Sequence, residues 1–251
     1  MLILISNDDG IHAPGIKALA EAAAEHGDTW VVAPSSEQSA KSHGLTMHEP
    51  LRVREFGPRR FAVTGTPADS VYMAIAHILP RAPDVVISGV NRGSNLGSDV
   101  HYSGTVAAAR EAALKGVPAV ASSLYVTDWD PDSTFHYDVA AEVAVEVALR
   151  LVKEPLPPGV FLNLNVPDVP RDQIKGIRAA PVGERLYENL VAEGRDPRGR
   201  PYYWIGGPSL GFRGGPHTDG ELLDAGFAAV SPMRLDPTDH PALTQLSRWF
   251  D

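Results

Sequence analysis

Near its start the chain carries Leu2-Ile-Leu-Ile5, a short apolar run that stops abruptly at Ser6-Asn7-Asp8-Asp9-Gly10. Four apolar residues without polar alternation suit a strand covered on both faces, as in the centre of a parallel sheet. The next five supply four oxygen-bearing side chains and a glycine able to turn sharply. Two adjacent carboxylates at the end of a buried strand repel each other where water is scarce. A hard divalent cation, Mg²⁺ or Mn²⁺, is a common relief for such a pair. A solvated Asp-Asp-Gly turn is the plain alternative, so the rest of the chain has to decide.

The pattern that follows repeats this theme. Pro14 to His26 is alanine-rich, with Ile16, Leu19 and Ala23 on one face and Gly27 as a stop, which predicts a helix. Thr29 to Ala33 is a second buried strand, making the opening a βαβ unit with a right-handed crossover. A polar loop, Pro34 to Gly44, precedes two alternating segments, Leu51–Arg54 and Phe61–Thr64, expected to pair. Thr66 as N-cap, Pro67 at N1 and Asp69 at N3 open a helix expected to reach about Leu79. Further strands are expected at Asp84–Ser88, Val117–Ser122 and Val160–Val166, with helices from Val106 to Lys115 and from Asp138 to about Lys153.

These alternations predict an α/β fold: a Rossmann-like, doubly wound, mostly parallel sheet in a three-layer α/β/α arrangement, with residues 1–166 as the core. After Pro167 the chain turns rich in Pro, Gly and Arg, so 167–251 is expected to form hairpins and a tail of the same domain that serve self-association. Tyr202, Tyr203 and Trp204 are consecutive, so at least one must point away from any local core; an exposed aromatic hairpin suits a subunit contact. Ala228 to Met233 reads as a strand and Asp236 to Phe250 as a terminal helix.

Charge and composition exclude several classes. A net charge of −9 argues against a duplex nucleic-acid partner. The chain has no cysteine, which removes disulfides, thiolate zinc sites and cysteine nucleophiles. No apolar run is long enough to span a bilayer, and a cytoplasmic setting is expected. The nine histidines lack His-x₃-His and His-Glu-x-x-His spacings, so zinc is not expected. The phosphate loop of nucleoside-triphosphate enzymes and the Gly-x-Gly-x-x-Gly fingerprint are missing as well, and the one Gly-x-Ser-x-Gly match, Gly207 to Gly211, falls in the Pro- and Gly-rich segment with no helix pattern after it, so no nucleophile elbow is expected.

In such a sheet, ligands bind beyond the carboxyl ends of the strands. Three strand ends carry unusual polar loops: Asp8-Asp9, Ser35 to Ser42, and Asn91 to Thr105. Ser103-Gly104-Thr105 directly before a helix is an anion seat, with unpaired N–H groups at the helix start and two hydroxyls. Ser103 as a simple N-cap is the bland alternative. A cation on Asp8-Asp9 and a terminal phosphate on this seat would make a metal-assisted phosphoryl-transfer site. His12, His101 and Arg92 lie near it in sequence and are as well explained as surface residues, while Asp99 reads as a structural support.

The residues that carry these features resemble the SurE family of survival proteins, metal-dependent nucleotidases acting on nucleoside monophosphates. The matching pieces are Asn7-Asp-Asp-Gly-Ile-His-Ala-Pro-Gly15, Val32-Ala-Pro-Ser-Ser-Glu-Gln-Ser39, Gly65-Thr-Pro-Ala-Asp69, Ser88-Gly-Val-Asn-Arg-Gly-Ser-Asn-Leu-Gly97 and Tyr102-Ser-Gly-Thr-Val106. The resemblance implies one divalent metal ion per subunit, Mg²⁺ or Mn²⁺, held by Asp8, Asp9, Ser39 and Asn91. It implies phosphate contacts from Asn95, Ser103, Gly104 and Thr105. Spacing alone does not single out Ser39 from Ser35, Ser36 and Ser42. Two positions depart from the pattern: Ala40 stands where the family more often has glycine, and Ser6 where it more often has threonine.

The implied reaction is hydrolysis of nucleoside 5′- or 3′-monophosphates by a metal-activated water, with Asp8 or Asp9 as general base. Direct attack by an aspartate, giving an acyl phosphate, is the alternative route. Alternatives in function are a phosphatase for other small phosphoesters or short polyphosphate, and a non-catalytic metal- and phosphate-binding module. A dimer, with C-terminal segments able to exchange, pairing into a tetramer is the implied assembly.

Overall fold

A computed structural model describes residues 1–127, 133–188, 190–207 and 209–250. Its centre is β1 (Leu2–Ser6), buried throughout. The alternation of its side chains divides the molecule. Ile3 and Ile5 face one layer, made by α1 (Pro14–Ala24) and α4 (Tyr137–Lys153). Leu2 and Leu4 face the other, made by α2 (Pro67–Met73) and α3 (Gly104–Leu114). A strand apolar at every position is thus explained by helices on both sides.

The remaining strands of the parallel core are β2 (Asp28–Pro34), β4 (Arg60–Val63), β5 (Val85–Arg92), β6 (Ala119–Tyr125) and β7 (Val160–Pro167). The edge strand β3 (Val53–Gly57) pairs antiparallel with β4. At the other side β13 (Ala228–Arg234) runs antiparallel to β7, and β8 (Ile177–Ala179) lies parallel to β13. The order across this nine-stranded sheet is β3-β4-β2-β1-β5-β6-β7-β13-β8. The chain leaves β1 toward β2 and later returns to its other side as β5, so the topological switch lies between β1 and β5.

The segment after residue 167 thus contributes two strands and α5 (Asp219–Asp224) to the body of the fold. The rest of it projects as a long arm. Its root is β9 (Glu184–Tyr187) paired with β12 (Ser209–Arg213), and its tip is β10 (Leu190–Arg195) paired with β11 (Pro201–Gly206). Tyr202, Tyr203 and Trp204 are all exposed, at 46%, 60% and 71%, so no side of the tip is covered within one chain. The terminal helix α6 (His240–Ser247) is shorter than expected because Asp239 caps Ala242 N–H and Pro241 occupies its first turn.

Local chemistry accounts for the other shifts. The paired segments β3 and β4 sit about the tight turn 57–60, where Gly57 (φ 143°) and Arg59 (φ 59°) bring the chain back. The helix beginning at Pro67 changes to a wider π-helical turn over Ala74–Ile78. Its capping box is complete: Thr66 Oγ1 accepts Asp69 N–H at 3.1 Å and Asp69 Oδ2 accepts Thr66 N–H at 2.9 Å. Thr66 Oγ1 also donates to Gly44 O, and Asp69 accepts both donors of Thr46, so this cap holds the polar loop that follows β2. Thr66→Ala is expected to lower unfolding free energy by about 1–2 kcal/mol, measured by urea denaturation.

Candidate metal and phosphate site

The polar ends of β1 and β5, the loop after β2 and the start of α3 meet at the switch point. Asn7 is fully buried and closes the turn after β1: its Nδ2 donates to Gly10 O at 3.0 Å and its Oδ1 accepts Gly10 N–H at 3.2 Å. Gly10 has φ 95°, and a Cβ there would lie 3.2 Å from the Ser36 carbonyl carbon, so the turn packs directly on the second loop. Gln38 N–H then donates to Asp8 O at 2.8 Å, drawing Ser39 toward the carboxylates.

Asp8 lies against the N-terminus of α3. Thr105 Oγ1 hydrogen-bonds Asp8 Oδ1, and the Thr105 N–H points to the same carboxylate. A Cβ on Gly104 would come within 2.8 Å of Asp8 Cβ and 3.0 Å of Oδ2, so only glycine admits the aspartate here. Ser103 caps the helix by accepting Val106 N–H at 3.0 Å. The seat expected to take phosphate is therefore filled in part by the protein's own carboxylate, and Thr105, fully buried, acts on Asp8.

Burial pushes Asp8 well above the usual carboxylate range, against the pull of Thr105. Asp9 is pushed up to about 7, first by burial and then by the neighbouring Asp8 charge; the Arg92 N–H, donating to Asp9 Oδ2 at 3.2 Å, opposes this. Two carboxylates held so that each resists ionisation form the charged half of a cation site. Asn91 Nδ2 donates to Gly93 O at 2.6 Å, which commits its nitrogen and leaves Oδ1 as the ligand-type atom. Ser39 Oγ donates to Glu37 Oε1 at 2.8 Å and keeps its lone pairs. Among the described residues no group of three or more His, Cys, Asp or Glu is arranged for a metal, so a cation here depends on these neutral oxygens. The donor set, two carboxylates with a hydroxyl and an amide oxygen, fits Mg²⁺ or Mn²⁺.

A cleft of about 380 Å³ is lined by Asp8, Ser39, Asn91, Asn95 and Ser103. Of the four candidate serines in the second loop only Ser39 lines it; Ser42 donates instead to His101 O at 2.7 Å. Ala40 has φ 57°, a left-handed conformation that explains why glycine suits this position. Asp9 sits at the margin of the cleft beside Arg92, while Gly104 and Thr105 lie behind Asp8. His12 stacks edge-on against Phe56 at 5.1 Å, as a packing residue would.

Several supports had no signal among the motifs. Asn95 is held by the interior of β7: Asn163 Nδ2 and Asn165 Nδ2 donate to its carbonyl at 2.8 and 3.0 Å, and its N–H donates to Asn165 Oδ1 at 2.8 Å. Its own Nδ2 donates to Ser123 Oγ at 2.7 Å. Two asparagines two apart in an otherwise apolar strand were the available clue. Asp99 pairs with Arg185 Nη1 at 2.9 Å and accepts the Tyr187 hydroxyl at 2.7 Å, bringing β9 to the wall of the cleft.

The family model "Survival protein SurE" matches residues 3–189. The chain is 46% identical over 249 residues to the 5′-nucleotidase SurE of Geotalea daltonii, covering 99% of each protein. It is 49% identical over 257 residues to the 5′-nucleotidase SurE of an Anaeromyxobacter strain, covering 99% of this chain and 96% of that one. The crystal structure of the SurE protein from Aquifex aeolicus superposes with a TM-score of 0.87 at 35% identity, over all of both chains. A match of this extent, over both the motifs and the whole fold, shows that the chain belongs to the SurE family.

Proposed function

We propose that this protein is a metal-dependent phosphomonoesterase that hydrolyses nucleoside 5′-monophosphates, and 3′-monophosphates as a further substrate, to nucleoside and phosphate. The observation that carries the reading is the adjacent pair Asp8-Asp9, both resisting ionisation, with Asp8 lining a cleft whose other oxygens come from Ser39 and Asn91 and Asp9 at its margin. The names of the curated relatives support the nucleotide as substrate.

In this reading Asp8, Asp9, Ser39 and Asn91 hold the cation. A divalent cation supplies Lewis-acid polarisation of a phosphoryl oxygen and a lowered pKa for the attacking water. Asn95, from the loop after β5, and Ser103, at the start of α3, face the phosphoryl group, and the positive end of the helix favours its charge. Thr105 contributes by fixing the Asp8 carboxylate through its hydroxyl and its N–H. Asp8 is engaged by Thr105 at the helix start, so Asp9, beside the cleft, is the one to accept the proton of the attacking water. Self-association through the exposed aromatic tip of the arm and the α6 segment, where Leu243, Leu246, Trp249 and Phe250 are uncovered, belongs to the same reading.

Three measurements test it. Purified protein with Mn²⁺ is expected to release phosphate from nucleoside monophosphates, and Asp9→Asn or chelator to lower the rate at least 100-fold; no release from the wild type would favour a binding module. Gly104→Ala is expected to displace Asp8 and weaken Mn²⁺ binding by tenfold or more in calorimetry, while leaving the circular dichroism spectrum unchanged. The third concerns pH. Because Asp9 in the folded protein titrates near 7, above its unfolded value of about 4, its contribution to stability is full below pH 4 and lost as pH rises through 7. The difference in unfolding midpoint between metal-free wild type and Asp9→Asn should therefore fall over that window, and Mn²⁺ should restore the wild type most strongly at its upper end.

A further inference from the structure

The cleft extends beyond the oxygens that would hold cation and phosphate. Its lining also includes Tyr102, Val126, Arg185 and Tyr187. The polar groups of Arg185 and Tyr187 are already engaged. Arg185 Nη1 serves both Asp99 Oδ2 at 2.9 Å and Ser94 Oγ at 3.2 Å, and the Tyr187 hydroxyl donates to the same Asp99 oxygen at 2.7 Å. What the two tyrosines offer to a ligand is ring surface: Tyr187 is 41% exposed and Tyr102 66%.

The Tyr187 ring is also held in place. The Arg185 guanidinium carbon lies 5.2 Å from its centroid, and Asp99 fixes its hydroxyl. The strand bearing both residues packs backbone to backbone on the cleft loop. Gly97 has φ 53°, and a Cβ there would lie 2.6 Å from Arg185 N. Asp219, only 1% exposed, ties the two together by accepting Gly97 N–H at 3.0 Å and Gly183 N–H at 2.9 Å. A rigid aromatic face beside a phosphate site suits a flat ring bound by stacking.

We propose that Tyr187 is the wall on which the base of a nucleoside monophosphate stacks, with Tyr102 as a second, looser ring of the same lining. The inference rests on the nucleotidase reading and deepens it. Stacking accepts any base, because each has a π-face, so discrimination between purine and pyrimidine is low. Base preference then follows ring area, with adenine bound somewhat more tightly than uracil.

The test reads binding, so that it stands apart from turnover. Calorimetry with Mn²⁺ present compares AMP, UMP, glycerol phosphate and inorganic phosphate on wild type, Tyr187→Ala and Tyr187→Phe. Tyr187→Ala is expected to weaken AMP about tenfold and UMP by slightly less, with glycerol phosphate and inorganic phosphate within twofold of wild type. Tyr187→Phe, which keeps the ring and loses the Asp99 bond, should weaken AMP by no more than about threefold. AMP affinity within twofold of wild type in Tyr187→Ala overturns the proposal. So does an equal loss for inorganic phosphate, which would make Tyr187 a support of the loop alone. If Tyr187→Ala does not fold, Tyr187→Leu keeps the bulk without the π-face and is held to the same limits. A protein with the expected binding pattern that releases no phosphate would remove the hydrolytic reading and leave the stacking wall in place.

Discussion

Most of the site depends on one buried carboxylate. Asp8 is only 4% exposed, at the end of a strand packed on both faces, and its compensation comes from the first turn of α3. The Thr105 hydroxyl and N–H, the positive end of the helix and the vacant side of Gly104 all converge on it. These contacts lower the penalty of burial without removing it, since Asp8 remains harder to ionise than a carboxylate in water. A helix terminus is often read as a place for a ligand's phosphate. Here the protein's own anion takes part of it, and a cation between aspartate and substrate would complete the alternation of charge.

The sheet order makes this convergence possible. With β1 at the switch point, the loops after β1 and β5 open on the same edge, and the crossover to β2 returns a third loop beside them. Hydrogen bonds then adjust the loops: Gln38 N–H to Asp8 O, Arg92 N–H to Asp9 Oδ2, and Ser42 N–H to Tyr102 O at 3.0 Å. The positions of the neutral oxygens follow from backbone contacts to the carboxylate turn. Sequence proximity does not set them.

The parallel core was legible because its strands are apolar at consecutive positions and its helices have clear starts, as at Thr66 and Ser103. The carboxylate turn and the helix start could be read from local chemistry. Ser39 could not be told from its neighbours by spacing, because the choice depends on how a polar loop folds over Asp8. Arg185, Tyr187 and Asp219 were out of reach for a similar reason: each acts on residues 86 to 122 positions away, in a segment whose local pattern speaks only of hairpins. Asn163 and Asn165 did leave a trace, as polar residues on a strand with no solvent to meet. The trace marks burial of an amide and says nothing of its partner, the backbone of Asn95.

Asp219 carries one more consequence, for the order in which the protein becomes competent. The loop from Asn91 to Thr105 contains half of the site, yet its conformation is closed by Asn165, 70 residues later, and by Asp219, 122 residues from Gly97. During synthesis every recognisable motif has left the ribosome well before these closing residues do. Contacts of such sequence separation form only after long loops have been ordered. The chain therefore passes through a stage in which its motifs are complete and its geometry is not.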